Sequence, residues 1–117
     1  MQTLVHTDNH IVGREAMIRD VTAAVEGSLA SFADHLTRVD VYLSDKNAHK
    51  KGGDDISCRV EVRPAGLKAF TAEHSAPGMM DAVDGAADRA VRILADTFDR
   101  KHNPKGRTSM AGDEQLI

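Results

Sequence analysis

Arginine is the side chain here best suited to chemistry of fixed geometry, because its planar fork donates paired N–H bonds to a phosphate or a carboxylate. Arg89 and Arg92 lie three residues apart in a stretch of helical periodicity, so both reach the same neighbouring surface. Asp88 stands four residues before Arg92, the favourable order for an ion pair. Two readings of the arginines therefore stand: contact with a phosphate-rich surface, or solvation of an exposed helix. Other cations gather in short groups: Lys46, Lys50 and Lys51; Arg59 and Arg63; then Arg100 and Lys101, followed by Lys105 and Arg107. The three lysines fall in the hydrophilic, glycine-containing run 45–55, DKNAHKKGGDD, where they either form a finger reaching a polyanion or keep the surface soluble.

Other chemistry finds little support. Six histidines and 18 acidic residues invite a metal or acid–base reading. His6 and His10, however, straddle a strand end rather than share one helical face, and the run 45–55 lacks the order and terminal glutamate of a calcium loop. The single cysteine, Cys58, closes no intrachain disulfide and builds no thiolate cage, in keeping with a reducing compartment. It is in phase with Val60, so it reads as a small buried hydrophobe rather than a nucleophile. No strand-to-helix elbow or oxyanion loop accompanies any serine. The expectation is a protein with no catalytic residue, metal or cofactor.

These side chains need a scaffold, and 117 residues fit one domain. One tyrosine and three phenylalanines are the only aromatic residues, so the core must be aliphatic. Apolar runs stay far short of the roughly 18 residues that cross a bilayer, and no secretion-signal pattern opens the sequence, which points to the cytoplasm. The net charge of −3 argues against a generic nucleic-acid binder on average. Charge is segregated, though: Asp81, Asp84, Asp88, Asp96 and Asp99 crowd one stretch and the cations gather elsewhere.

Periodicity predicts a strand at 2–7 and a helix at 14–36 with Ile18, Val21, Val25, Leu29, Phe32 and Leu36 on one face. A second strand has Val39, Val41 and Leu43 facing in and Arg38, Asp40, Tyr42 and Ser44 facing out. A third, antiparallel to it, spans 56–63 with Cys58, Val60 and Val62 inward and closes in the turn 64–66. A further strand is expected at 67–73 with Phe70 inward. A second helix follows from Pro77, capped by Ser75, with Met80, Val83, Ala87, Val91, Leu94 and Phe98 as its apolar stripe. Gly27 is read as a place where a neighbouring element comes close, and Gly85 as permitting close packing of the second helix. Segregated strands imply an α+β fold, β-α-β-β-β-α, in which two helices cover one face of a four-stranded sheet and the other face, with Arg38, Tyr42, Arg59 and Arg63, is solvated. Residues 1–102 form the domain and 103–117 a flexible tail.

This order of elements, together with AVDGAADRAVRIL at 82–94, TRVDVYLSD at 37–45, HKKGGDD at 49–55 and HTDNHIVG at 6–13, resembles the ribosome hibernation-promoting factor and ribosome-associated inhibitor family, short form, of a proteobacterial branch. The resemblance implies a fold similar to double-stranded-RNA-binding domains. It implies a cytoplasmic, non-enzymatic factor, monomeric off the ribosome, that binds small-subunit rRNA phosphates near the decoding centre under stress and blocks tRNA and mRNA by occupancy, with no DNA or membrane partner. Arg89, Arg92, Lys46, Lys50, Lys51, Arg59, Arg63, Arg100 and Lys101 are then the candidate rRNA contacts. Two departures stand out: Ala24, Glu26 and Ser28, and later Asp96 and Asp99, occupy regions where the family is basic. A small acidic module of the same fold that binds a protein instead is the alternative reading.

Overall fold

The computed structural model describes residues 1–7, 14–45 and 56–102, apart from the side chains of Arg14 and of residues 100–102. Its elements are β1 (Gln2–Thr7), α1 (Arg14–Ser28), a 3-10 helix (Ala30–His35), β2 (Leu36–Asp45), β3 (Ile56–Pro64), β4 (Phe70–Ala76) and α2 (Met79–His102). The strands form one sheet in the order β1-β2-β3-β4; β1 runs parallel to β2 and the other neighbours are antiparallel. The α+β architecture is the one the segregated strands implied. Lys46, Lys50 and Lys51, the remainder of their loop and the expected tail 103–117 lie outside the described residues.

Alternation along the central strands dictates which face is dry. Val39, Val41 and Leu43 of β2 and Cys58, Val60 and Val62 of β3 are buried beneath the helices. Above them α1 contributes Met17, Val21 and Val25, Leu29 follows from the junction with the 3-10 helix, and α2 contributes Ala82, Val83, Ala86, Ala90 and Leu94. Each fully buried valine or leucine stabilises the fold by roughly 1.5–3 kcal/mol, enough in sum to hold a core that has no aromatic residue at its centre. Phe32 and Phe98 stack at 5.6 Å between ring centroids, pinning the end of α2 against the 3-10 helix.

The elements depart from expectation in ways that have physical causes. The helix expected to run to residue 36 ends at Ser28 and tightens into the 3-10 turn, after Gly27 and Ser28 lower helix propensity. Gly27 itself is exposed with open space where a Cβ would sit, so no element approaches it closely. Leu36 is buried along with Val39, although they are three positions apart, an odd step that strict alternation would send to opposite faces. A register shift between Leu36 and Arg38 inserts Thr37 as an extra residue, whose hydroxyl donates to the Arg63 carbonyl at 2.8 Å.

The strand expected at 67–73 lies instead at Phe70–Ala76. Gly66 adopts φ 73°, and the Ala65 N–H donates to the His35 carbonyl at 2.8 Å, so the turn is tied to the 3-10 helix before pairing resumes at Phe70 opposite Val62. Phe70 does pack against the core, as its phase required. Ser75 pairs with Ser57 in the ladder and therefore cannot cap α2, which opens with the Ala82 N–H donating to the Gly78 carbonyl at 3.0 Å.

Gly85 is the closest approach between α2 and the sheet. A Cβ there would overlap the imidazole of His74 on the inner face of β4. Gly85→Ala is therefore expected to destabilise the domain by roughly 1–3 kcal/mol in urea unfolding despite its better helix propensity. The double variant with His74→Ala should recover much of that loss; equal stability of the single variant and the parent would show that the contact relaxes freely.

Candidate nucleic-acid interface

The solvent face of the sheet is built by the other half of each alternation. One row across it reads His6, Tyr42, Arg59 and Glu73, one residue from each strand in register. The neighbouring row contains Asp40, which was expected to face water yet is only 2% exposed. Arg38 donates to it twice, from Nε to Oδ2 at 2.8 Å and from a terminal N–H to Oδ1 at 3.1 Å, and His6 Nε2 lies 3.0 Å from the same Oδ1. The bond from Arg38, reinforced by His6 and opposed by desolvation, holds the Asp40 carboxyl below its ordinary 3.8.

That carboxylate sets the geometry of its neighbours. It neutralises Arg38, which would otherwise stand opposite Arg63 as a like charge. It also fixes the His6 ring, which stacks on Tyr42 at 4.6 Å with an interplanar angle of 13°. From the strand on the opposite side, the Arg59 guanidinium covers Tyr42, also 4.6 Å from the ring centroid. Arg63 reaches Glu61 at only 3.8 Å, a weak exposed pair. Among the described residues Arg59 has no carboxylate partner, although Glu73 stands opposite it on β4.

Around the edge of β4 a second group forms. A groove of about 610 Å³ runs between β4 and α2, lined among others by Thr71, Glu73, Arg89, Arg92 and Ile93. The sequence offered two readings for the arginines, and the structure separates them. Arg92 pairs with Asp88 at 2.8 Å with both partners exposed, whereas Arg89, also exposed, has no carboxylate partner among the described residues. Glu73 borders this groove and also one on the sheet face beside Arg59. Arg59 on one side, and Arg89 with Arg92 on the other, thus line two grooves that share Glu73 of β4, whereas Arg63 lines neither. Arg100 and Lys101 fall in the last turn of α2, and their side chains lie outside the described residues.

Among the described side chains, the exposed positions of α1 have the opposite character: Glu15, Asp20 and Glu26 outnumber Arg19. Among the described residues no cluster of three His, Cys, Asp or Glu side chains could hold a metal. Burial pushes the Cys58 thiol up to about 12, which leaves it protonated and unreactive at neutral pH. In the sequence His6 stands out only as a poorly spaced metal ligand beside His10, and Asp40 and Tyr42 only as outward-facing strand residues. The signal was the spacing Arg38-x-Asp40-x-Tyr42, which places all three on one face of a strand.

Residues 5–102 match the family described as sigma 54 modulation protein / S30EA ribosomal protein. The chain belongs to that family. The assignment agrees with the hibernation-factor family that the sequence resembles, and the family is one of non-enzymatic factors. Among solved structures, a ribosomal subunit interface protein from Coxiella burnetii is similar with a TM-score of 0.65 and 12% identity, over 85% of this chain and 99% of that one. The N-terminal domain of Protein Y from Thermus thermophilus is similar with a TM-score of 0.60 and 22% identity, over 83% of this chain and 99% of that one. At these identities the likeness establishes the shared fold. No curated protein matches the chain significantly. Among the described residues no helix is long and apolar enough to cross a membrane.

A depressed folded-state value means that the ionised Asp40 stabilises the fold above pH 3.8 and that this contribution is lost as pH falls through the folded value. Asp40→Asn should therefore cost roughly 1–2 kcal/mol at neutral pH, and the gap to the parent should close on acidification. A gap that is constant with pH in urea titrations would show that the carboxylate charge is not what stabilises the cluster.

Proposed function

We propose that this chain is a ribosome-associated hibernation factor of the cytoplasm. It occupies the small subunit near the decoding centre under stress and excludes tRNA and mRNA without catalysing a reaction. Membership of the S30EA ribosomal protein family supports this reading, as do the ribosome-linked proteins of the same fold. The single structural observation that carries it is the pair Arg59 and Arg89, exposed on either side of β4 and both without a carboxylate partner among the described residues. Partner-free guanidiniums are the groups with most to gain from phosphate, because they give up no existing ion pair.

The same observation orients the molecule. Phosphates repelled by Glu15, Asp20 and Glu26 of α1 meet the opposite side, where β4 and the adjoining turns of α2 present the arginines. Shape and backbone contacts, rather than a base sequence, then select the site. A net negative chain can bind RNA in this way because what matters is the local field over about one Debye length, roughly 8–10 Å at physiological salt.

Co-sedimentation of the full chain with small subunits across a salt series tests the reading. Arg89→Glu should weaken binding by roughly tenfold or more and make the dependence on salt shallower by about one phosphate contact. Arg92→Glu should cost less than Arg89→Glu, since Arg92 already shares its charge with Asp88. Failure of the parent chain to pellet with small subunits at low salt would reject the proposal. Recovery of one dominant protein free of rRNA would favour the alternative, in which the acidic surface of α1 serves as a protein-binding face.

A further inference from the structure

The phosphate reading leaves the arrangement around Tyr42 without a purpose. Tyr42 stands upright on the open face of the sheet, with His6 against one side of its ring and the Arg59 guanidinium against the other, both at 4.6 Å. Asp40, almost wholly buried, grips His6 at 3.0 Å and so keeps the stack in place before any ligand arrives. The stack lies outside the aliphatic core and opens onto a groove of about 450 Å³, within the ~300–1,000 Å³ span of small-ligand sites. Ser44, Ser57 and Glu73 line the same groove, which therefore has hydroxyl groups and a carboxylate within reach of whatever lies against Arg59.

We propose that this groove receives an unstacked base of single-stranded RNA, laid on the face of Arg59 that points away from Tyr42 and read at its edge by Glu73. The proposal deepens the RNA-binding reading and rests on it for the class of ligand only. Its physical basis is threefold. A guanidinium plane already stacked on an aromatic ring presents a second flat face, and unpaired RNA bases stack on such planes. Arg59 and Glu73 are register partners on β3 and β4 yet form no ion pair, so one flat group can lie between them without breaking a bond. An ionised carboxylate only accepts hydrogen bonds, so Glu73 favours a base that offers adjacent N–H groups, as guanine does, over uracil.

The stack also makes a phosphate-only role for Arg59 incomplete. A guanidinium serving as a point charge has no need of a ring behind it, whereas one serving as a platform is held flat by that ring and loses less freedom on binding. Ser44 and Ser57 flank the groove from β2 and β3 and can bond the sugar or the base edge in either hydroxyl orientation.

Fluorescence anisotropy of the full chain with labelled single-stranded RNA hexamers, one of alternating guanine and adenine and one of uracil alone, tests the proposal. The guanine-containing hexamer should bind more tightly. Arg59→Gln and Tyr42→Leu should each weaken it by roughly fivefold or more, the scale of one lost base stack. Glu73→Gln should reduce the preference for guanine over uracil while leaving binding to the uracil hexamer in place. Thermal unfolding of each variant separates loss of fold from loss of the site; because all three positions are on the open face, the variants should stay folded. Equal affinity of the parent and both stack variants, or no preference between hexamers, would overturn the inference. If the parent pellets with ribosomes but fails these hexamer tests, the base site falls and the phosphate reading stands. If hexamers bind as described but ribosomes do not pellet, the base site stands and the ribosomal reading falls.

Discussion

A carboxylate that is nearly inaccessible to water sits on the side of a sheet that should belong to solvent, and much of the outer surface is arranged around it. Asp40 is tolerable there only because Arg38 and His6 satisfy both of its oxygens. In return it cancels the like-charge opposition of Arg38 and Arg63 across β2 and β3, and it fixes the imidazole on which Tyr42 leans. With Arg38 consumed by Asp40 and Arg63 drawn toward Glu61, Arg59 is, among the described residues, the cation on this face without a carboxylate partner. A surface carrying as many acids as arginines thereby gains a directed positive end.

The layering of the domain carries that end toward β4. Helices α1 and α2 cover one face with aliphatic side chains, so every charge is driven to the outer sheet face, the exposed sides of the helices or the sheet edges. The acidic positions of α1 turn one flank away from polyanions. On the other flank Gly85 lets α2 settle onto His74, which brings the turn bearing Arg89 down beside the edge strand. The negative total is a sum over unlike patches: exposed acids lie on α1 and also on α2, as Asp81, Asp84, Asp88, Asp96 and Asp99, so an anion is attracted only where Arg59 and Arg89 flank β4.

Much of this was legible in the residues. The alternation of Val39, Val41 and Leu43 with polar neighbours defined both faces of β2, and the spacing of Ile18, Val21 and Val25 defined the core-facing side of α1. The fold class followed from the run of strands between two helices. What escaped the sequence depended on contacts between distant segments. The extra residue at Thr37 arises from the meeting of the 3-10 helix with β3, and the displacement of β4 from the tether between Ala65 and His35. Asp40 looked like any outward-facing aspartate because its burial comes from Arg38, two residues away, and from His6, 34 positions earlier in the chain. The pair of Asp88 with Arg92, by contrast, is local, and its i,i+4 spacing already set Arg92 apart from Arg89.

Which side of the domain meets RNA is the decisive property of the proposed complex. A density map of the full chain bound to the small ribosomal subunit measures this directly. The account requires β4, with Arg59 on one side of it and Arg89 on the other, to be pressed against rRNA, and Glu15, Asp20 and Glu26 of α1 to be turned away from phosphates. A map in which the acidic side of α1 contacts rRNA while β4 faces open solvent would contradict it.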